Sequence, residues 1–319
     1  MGCSGFILAL GWLGTACWIG SISVDHISST VNFHRLPHEQ YPLGSRIGVQ
    51  DELAELQGDE PMERDMFMNN PDSRAARVIG LAYSTCCYLA FLFTCLYLIG
   101  FVGSVVVPKN INDGPLVAWP TAVLINGALI ILFGVQHTVM ARKGFKRWLA
   151  TFIPAPAERS TYVLLSSLVL GVMFWLWQPI PDSVWEVEAV WAKTLLTGLF
   201  WMGWGIVLLA TFLISHFELF GLKQAIDRWR NTPQQAPIFR TPLLYKIVRH
   251  PLYLGFLIAF WATPHMTVGH LVFALGMSVY LFIGARFEER DLVVLFGERY
   301  RRYQSEVGMV VPRLNRPRR

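Results

Sequence analysis

From residue 78 to residue 107 the chain runs without one charged side chain, further than the roughly 20 residues a helix needs to cross about 30 Å of hydrocarbon. Such a run has no place in an ordinary water-soluble domain, and its backbone must satisfy its own hydrogen bonds in lipid. The rest of the chain agrees with it: 53% of the 319 residues are hydrophobic and only 15% charged, where soluble domains carry about a quarter. Mean hydropathy is +0.40. A soluble enzyme is the first reading to discard. The formal net charge of +5 then marks cytoplasmic loops and contacts with anionic lipid, not nucleic acid.

Three further spans follow, at about residues 115–141, 160–177 and 191–214, the last with Lys193 near its outer end. After a polar stretch, two shorter apolar segments at 252–261 and 271–284 flank a break containing Pro264 and Gly269, which predicts a helical hairpin. Basic residues alternate along the loops. Arg142, Lys143, Lys146, Arg147 and Arg159 follow span two; Lys223, Arg228, Arg230, Arg240, Lys246 and Arg249 follow span four; nine arginines lie between 286 and 319. Residues 178–190 hold no basic side chain, and the loop after span one holds only Lys109. The positive-inside rule therefore places the segment before residue 78, the polar motifs and the C-terminus in the cytosol, as in a multi-pass protein of a bacterial inner membrane. The expected fold is all-α: a polytopic membrane bundle of about four spans plus a C-terminal helical hairpin, with a cytoplasmic pocket.

Residues 1–75 have a different character, with four basic residues against ten acidic ones. They read as a poorly ordered extension, with 6–22 as a weak anchor and a working start near Met66 or Met68. Residues 76–236 then form the span bundle, 237–312 a ligand-binding segment with the hairpin, and 313–319 a basic tail. The five cysteines, Cys3, Cys17, Cys86, Cys87 and Cys95, show no metal-ligand or disulfide spacing, so no metal site is expected.

The chemistry concentrates at the entrance to the hairpin, where Tyr245, Arg249, His250, Pro251, Leu252, Tyr253, Leu254 and Gly255 fall together. A helix started by Pro251 leaves the amides of Leu252, Tyr253 and Leu254 facing the cytosol at its positive dipole end, a seat for a carboxylate or phosphate. Tyr245 and Tyr253 add hydroxyls and a flat face. The hairpin brings Glu288 back toward His250, where a carboxylate can accept ribose hydroxyls or hold an ammonium group, and Arg286 can reach the membrane-facing side. A snorkelling arginine with interfacial His and Tyr, and a charge-laced helix exit, are the plainer readings of the same residues.

The joint pattern Arg249-His250-Pro251-x-Tyr253-x-Gly255, then Glu288-Glu289, then Phe296-Gly297-x-x-Tyr300-x-x-Tyr303, resembles the isoprenylcysteine carboxyl methyltransferase and phospholipid methyltransferase superfamily of membrane enzymes. That resemblance implies S-adenosyl-L-methionine as cofactor. It carries the contacts onto His250, Pro251, Leu252, Tyr253 and Glu288, with Tyr245 and a strand-like segment 237–240, including Phe239 and Arg240, closing over it. Gly284 stands where the superfamily's substrate-side arginine is expected, and Arg286 lies two residues on. Residues 98–103 with Val107, Pro108 and Lys109, residues 133–142 and residues 156–162 are further similar to the methanethiol S-methyltransferase group, itself related to NnrU-type membrane proteins.

The longer resemblance implies methyl transfer to a small thiol, methanethiol giving dimethyl sulfide, with membrane lipid as the surroundings and no oligomeric state specified. Joining a thiolate to a sulfonium methyl gives two neutral thioethers, so a water-poor pocket favours it, and alignment alone is worth about 7–11 kcal/mol at best. The thiol's proton can go to His137, His250 or Glu288, or be lost in solution. Gln136 and His137 on span two can line the thiol pocket or simply cap the span beside Arg142; Arg286 and His137 are the catalytic candidates. Two alternatives stand beside this: a lipid or prenyl-cysteine carboxylate as acceptor, and a haem-binding membrane protein using histidines such as His216, His265 and His270.

Overall fold

The computed structural model describes residues 73–233 and 238–313. The segment 6–22, the expected start at Met66 or Met68, Cys3, Cys17, Pro237 and the tail from 314 onward lie outside the described residues. From Gly80 onward the described residues belong to one body; Ser73–Ile79 contribute only the opening turns of the first helix.

Helix α1 is Arg74–Gly103, α2 Trp119–Met140, α3 Lys143–Leu149, α4 Ala155–Leu176, α5 Val190–Ile214, α6 His216–Leu219 and α7 Leu222–Arg230. A 3₁₀ turn at Leu243–Lys246 leads to α8 Pro251–Trp261, α9 Val268–Phe296 and α10 Glu298–Glu306. Among the described residues α1, α2, α4, α5 and α9 are long and apolar enough to cross a membrane. Their outward side chains show what solvent they face: Phe93 is 69% exposed, Leu124 73% and Trp175 75%, a surface only lipid tolerates.

The helices start where the sequence permits. Proline occupies the first turn of α2, α4 and α8, where its missing amide costs nothing. Thr267 caps α9 by accepting from the His270 amide at 3.2 Å.

The hairpin differs from its expected form. Its second arm does not stop at Gly284 but runs to Phe296, so α9 is a fifth candidate span. The two arms still meet, because the eleven residues of α8 rise about 16 Å and the extended stretch 262–267 adds up to about 20 Å, against about 30 Å for the helical rise from 268 to 288. That stretch contains β2, His265–Thr267, which pairs antiparallel with β1, Ser183–Glu186. This small sheet joins the base-free loop after α4 to the hairpin tip.

Lys109, the lone cation of its loop, ends on the carbonyls of Trp175 and Trp177 at 2.6 and 2.9 Å, closing the C-terminus of α4 as a cation should. Beneath lies the aromatic core: Phe101, Trp177, Phe260 and Phe273 are all 1% exposed or less and meet edge to face.

α8 packs chiefly on α5, and Gly203 and Gly255 permit the approach. A Cβ on Gly255 would stand 2.7 Å from the Gly203 carbonyl oxygen, and one on Gly203 2.7 Å from the Gly255 carbonyl oxygen. Small residues at such crossings are what membrane helices use to bring backbones together. Gly255→Ala is expected to cost about 1–3 kcal/mol, read as a lowered melting temperature in detergent; unchanged melting would mean that the two helices part freely.

Candidate active site

His250 precedes α8 and Pro251 opens it, with no side chain capping the turn. The Leu254 amide is already bonded to the His250 carbonyl at 3.0 Å, so the turn offers fewer outward amides than the three expected from the sequence. Its uncapped positive end still faces the cluster built around it.

That cluster depends on two neighbouring carboxylates. Glu288 and Glu289 are consecutive on α9 and both buried, and the 100° between successive helical residues sends them to different partners. Glu288 Oε2 accepts from the Tyr253 hydroxyl at 2.8 Å and lies 3.6 Å from His250 Nδ1. Glu289 Oε1 lies 3.1 Å from His250 Nε2 and accepts from Arg249 Nε at 2.6 Å, while Gln304 Nε2 donates to its other oxygen at 2.9 Å. The His250 ring lies flat on Tyr253, centroids 5.1 Å apart and planes 3° from parallel. Arg249 also donates to the backbone carbonyls of Gln304 and Val307.

The chain's last described segment clamps this arrangement. Val248 forms a parallel bridge with Gly308, and the amides of Arg249 and His250 donate to the carbonyls of Gly308 and Met309 at 2.8 and 3.0 Å. The Tyr303 hydroxyl donates to the Tyr245 carbonyl. Burial pushes the phenols of Tyr245 and Tyr303 well above the usual tyrosine range, so both remain hydroxyl donors at any working pH.

Below the cluster, between α1, α2, α4, α5, α8 and α9, lies a cavity of about 150 Å³ with almost wholly apolar walls. Tyr253 and Gly284 belong to its wall, as do His137, Tyr162 and Ser166. A Cβ on Gly284 would meet the Tyr253 hydroxyl at 3.9 Å. The tyrosine therefore joins the cavity to the carboxylates.

Of the residues singled out in the sequence, Tyr245, His250, Pro251, Leu252, Tyr253 and Glu288 gather at this end of the molecule, all buried. Phe239 sits in a neighbouring aromatic group with Phe296, Tyr300 and Tyr303, in irregular backbone where a strand-like segment was expected, and Arg240 is exposed. Arg286 is exposed too, because two residues' rotation from Glu288 turns it off the buried face of α9. His137 reaches the cavity with Nδ1 3.2 Å from the Ser166 hydroxyl; Gln136 turns to Met140 and Ser166. Sequence reasoning did not single out Glu289, Gln304, Tyr162 and Ser166 for roles. Only Glu289 carried a signal, as the twin of Glu288 forty residues after an arginine.

The family described as NnrU protein matches residues 123–312, more than half of the chain and all of the cluster. The chain belongs to the NnrU family. Within it, the chain is 61% identical over 241 residues to the methanethiol S-methyltransferase of a Pseudomonas species, covering 76% of this chain and 93% of that one. It is 63% identical over 246 residues to the protein of that name from Pseudomonas deceptionensis, covering 77% and 94%. It is 52% identical over 244 residues to methanethiol S-methyltransferase 2 of Bradyrhizobium diazoefficiens, covering 76% and 94%. No solved structure matches the chain.

Proposed function

We propose that this NnrU-family protein is a methyltransferase that carries the methyl group of S-adenosyl-L-methionine to methanethiol, giving dimethyl sulfide, at the cytoplasmic side of the membrane. The carrying observation is the cavity. At about 150 Å³ it matches the size of apolar voids that admit benzene, and it ends at Tyr253 beside Glu288. A one-carbon thiol fits it with room to spare. A prenyl-cysteine or phospholipid acceptor is far larger than that volume, and the names of the relatives favour the thiol as well.

The cluster fits the proposed cofactor by the chemistry of its donor set. The uncapped start of α8 suits a carboxylate. Glu288, with one oxygen on Tyr253, keeps acceptor capacity for ribose hydroxyls or an ammonium group, and the paired rings of His250 and Tyr253 offer a flat surface. S-adenosyl-L-methionine supplies a methyl group on a positively charged sulfur. The protein's part is to hold acceptor and methyl in line and to keep water away, which the apolar walls of the cavity do. The haem reading finds less support: both ring nitrogens of His216 are bonded, to Tyr88 and Thr211, and His270 Nε2 lies 2.9 Å from the Phe260 carbonyl oxygen.

Purified protein given S-adenosyl-L-methionine and methanethiol is expected to release dimethyl sulfide into the headspace; a folded protein that releases none refutes the proposal. Methyl label appearing in lipid or protein would favour the larger acceptors. Glu288→Ala is expected to weaken cofactor binding at least tenfold, the loss of one hydrogen bond to a charged group being about 1.5–3 kcal/mol, and Tyr253→Ala to weaken it as much by removing the ring that pairs with His250. Wild-type affinity in both would remove the cluster from the binding site.

A further inference from the structure

Resting on that thiol methyltransferase reading, we propose that Tyr253 is the catalytic group that takes the proton from the thiol, passing its own to Glu288 in the same event. An alkyl thiol enters an apolar cavity as the neutral S–H form, since carrying a thiolate there unpaired is costly. It must therefore be ionised inside. The cavity wall offers several polar side chains, but most have already placed their hydrogen bonds on backbone. Thr94 donates to the Ala90 carbonyl at 2.8 Å, Ser167 to Val163 at 2.8 Å and Tyr162 to His137 at 3.3 Å, and a carbonyl cannot accept a proton outright. His137 has Nδ1 against the Ser166 hydroxyl, and an imidazolium formed there would sit against an almost wholly apolar wall, a costly place for a charge. Both ring nitrogens of His250 face Glu288 and Glu289. Tyr253 differs from all of these: it belongs to the wall, and its hydroxyl donates to a buried carboxylate at 2.8 Å.

Gly284 completes the arrangement. A side chain there would begin 3.9 Å from the Tyr253 hydroxyl, and both residues line the cavity. Its absence keeps the space beside the hydroxyl open.

The step balances as follows. The thiol's S–H bond breaks and its proton goes to the Tyr253 oxygen while the phenolic proton moves to Glu288 Oε2, leaving a thiolate, an intact tyrosine and a neutral carboxylic acid. The thiolate sulfur then bonds the methyl carbon of the sulfonium donor, and the old carbon–sulfur bond breaks with its electron pair staying on the leaving sulfur. Glu288 gives up the proton afterwards towards His250 Nδ1, 3.6 Å away. One thiol and one sulfonium become two thioethers and one proton.

Tyr253→Phe keeps the ring that stacks on His250 and removes only the hydroxyl. Calorimetry on the full-length variant in detergent is expected to show S-adenosyl-L-methionine binding within about threefold of wild type. Turnover of methanethiol at neutral pH is expected to fall about 10²–10⁴-fold, the usual worth of a positioned proton acceptor. The variant's residual rate should climb about tenfold per pH unit as solution thiolate takes over, where wild type is nearly flat. Trifluoroethanethiol, far more acidic than ethanethiol at similar size, should narrow the gap between variant and wild type at least tenfold relative to ethanethiol.

Undiminished turnover in Tyr253→Phe, or a loss with neither the pH dependence nor the acidity effect, overturns the role of the tyrosine while leaving the methyltransferase reading intact. A wild-type protein that binds the donor but methylates no thiol overturns both.

Discussion

Glu289→Ala is expected to lower the stability of the site end by about 3–5 kcal/mol, because it strands a buried cation. Arg249 and Glu289 are 8% and 9% exposed at 2.6 Å, and that carboxylate also meets His250 Nε2 and Gln304. Without it, Arg249 keeps only backbone carbonyls, and His250 loses the partner that fixes its ring over Tyr253. Thermal unfolding in detergent should show the loss directly, and cofactor binding should fall with it. Glu289→Gln, which retains one acceptor oxygen for Arg249, should recover part of both. A Glu289→Ala protein melting like wild type would mean that the C-terminal clamp alone holds the cluster.

Filling the cavity from Gly284 should do the opposite, silencing the chemistry while leaving the fold and the donor site in place. A leucine at 284 would start from the cavity wall beside the Tyr253 hydroxyl, so Gly284→Leu is expected to lose at least about 10²-fold in kcat/KM for methanethiol, the scale of a misplaced reactant. Binding of S-adenosyl-L-methionine and the melting temperature should change little. Gly284→Ala is the graded case. Its methyl makes ordinary contact with the Tyr253 hydroxyl, so methanethiol should still turn over, while each added methylene in the acceptor should be penalised by about 10–200-fold. Headspace rates with methanethiol, ethanethiol and propanethiol measure this series, and equal rates in wild type and Gly284→Leu would show that the thiol binds elsewhere.

The spans were legible because burial in hydrocarbon leaves no choice of side chain, and helices α1, α2, α4 and α5 begin and end within a few residues of the uncharged runs, apart from the extra turn at the start of α4. The hairpin's second arm was read short for the same reason. Charge at Arg286, Glu288 and Glu289 signals an exit from lipid, but a helix can continue past that boundary, and α9 does so to Phe296. At the site, the proline-started helix and its facing carboxylate follow from local rules and from hairpin geometry.

Other features depend on distance in three dimensions. The cavity draws its wall from six helices, none of which marks its contribution by residue type. Glu288 and Glu289 look alike in sequence, and only the 100° between them assigns one to Tyr253 and the other to Arg249. The same angle puts Arg286 on the exposed side of α9, away from the two buried carboxylates.

The clamp formed by Gly308 and Met309 on Arg249 and His250 has a consequence for biosynthesis. A ribosome delivers those two carbonyls after every described span and both carboxylates have been made. Nascent chains already threaded into the bilayer thus stay incompetent until Gly308 and Met309 have been released, and a stop codon between Phe296 and Gly308 should yield inserted but inert protein.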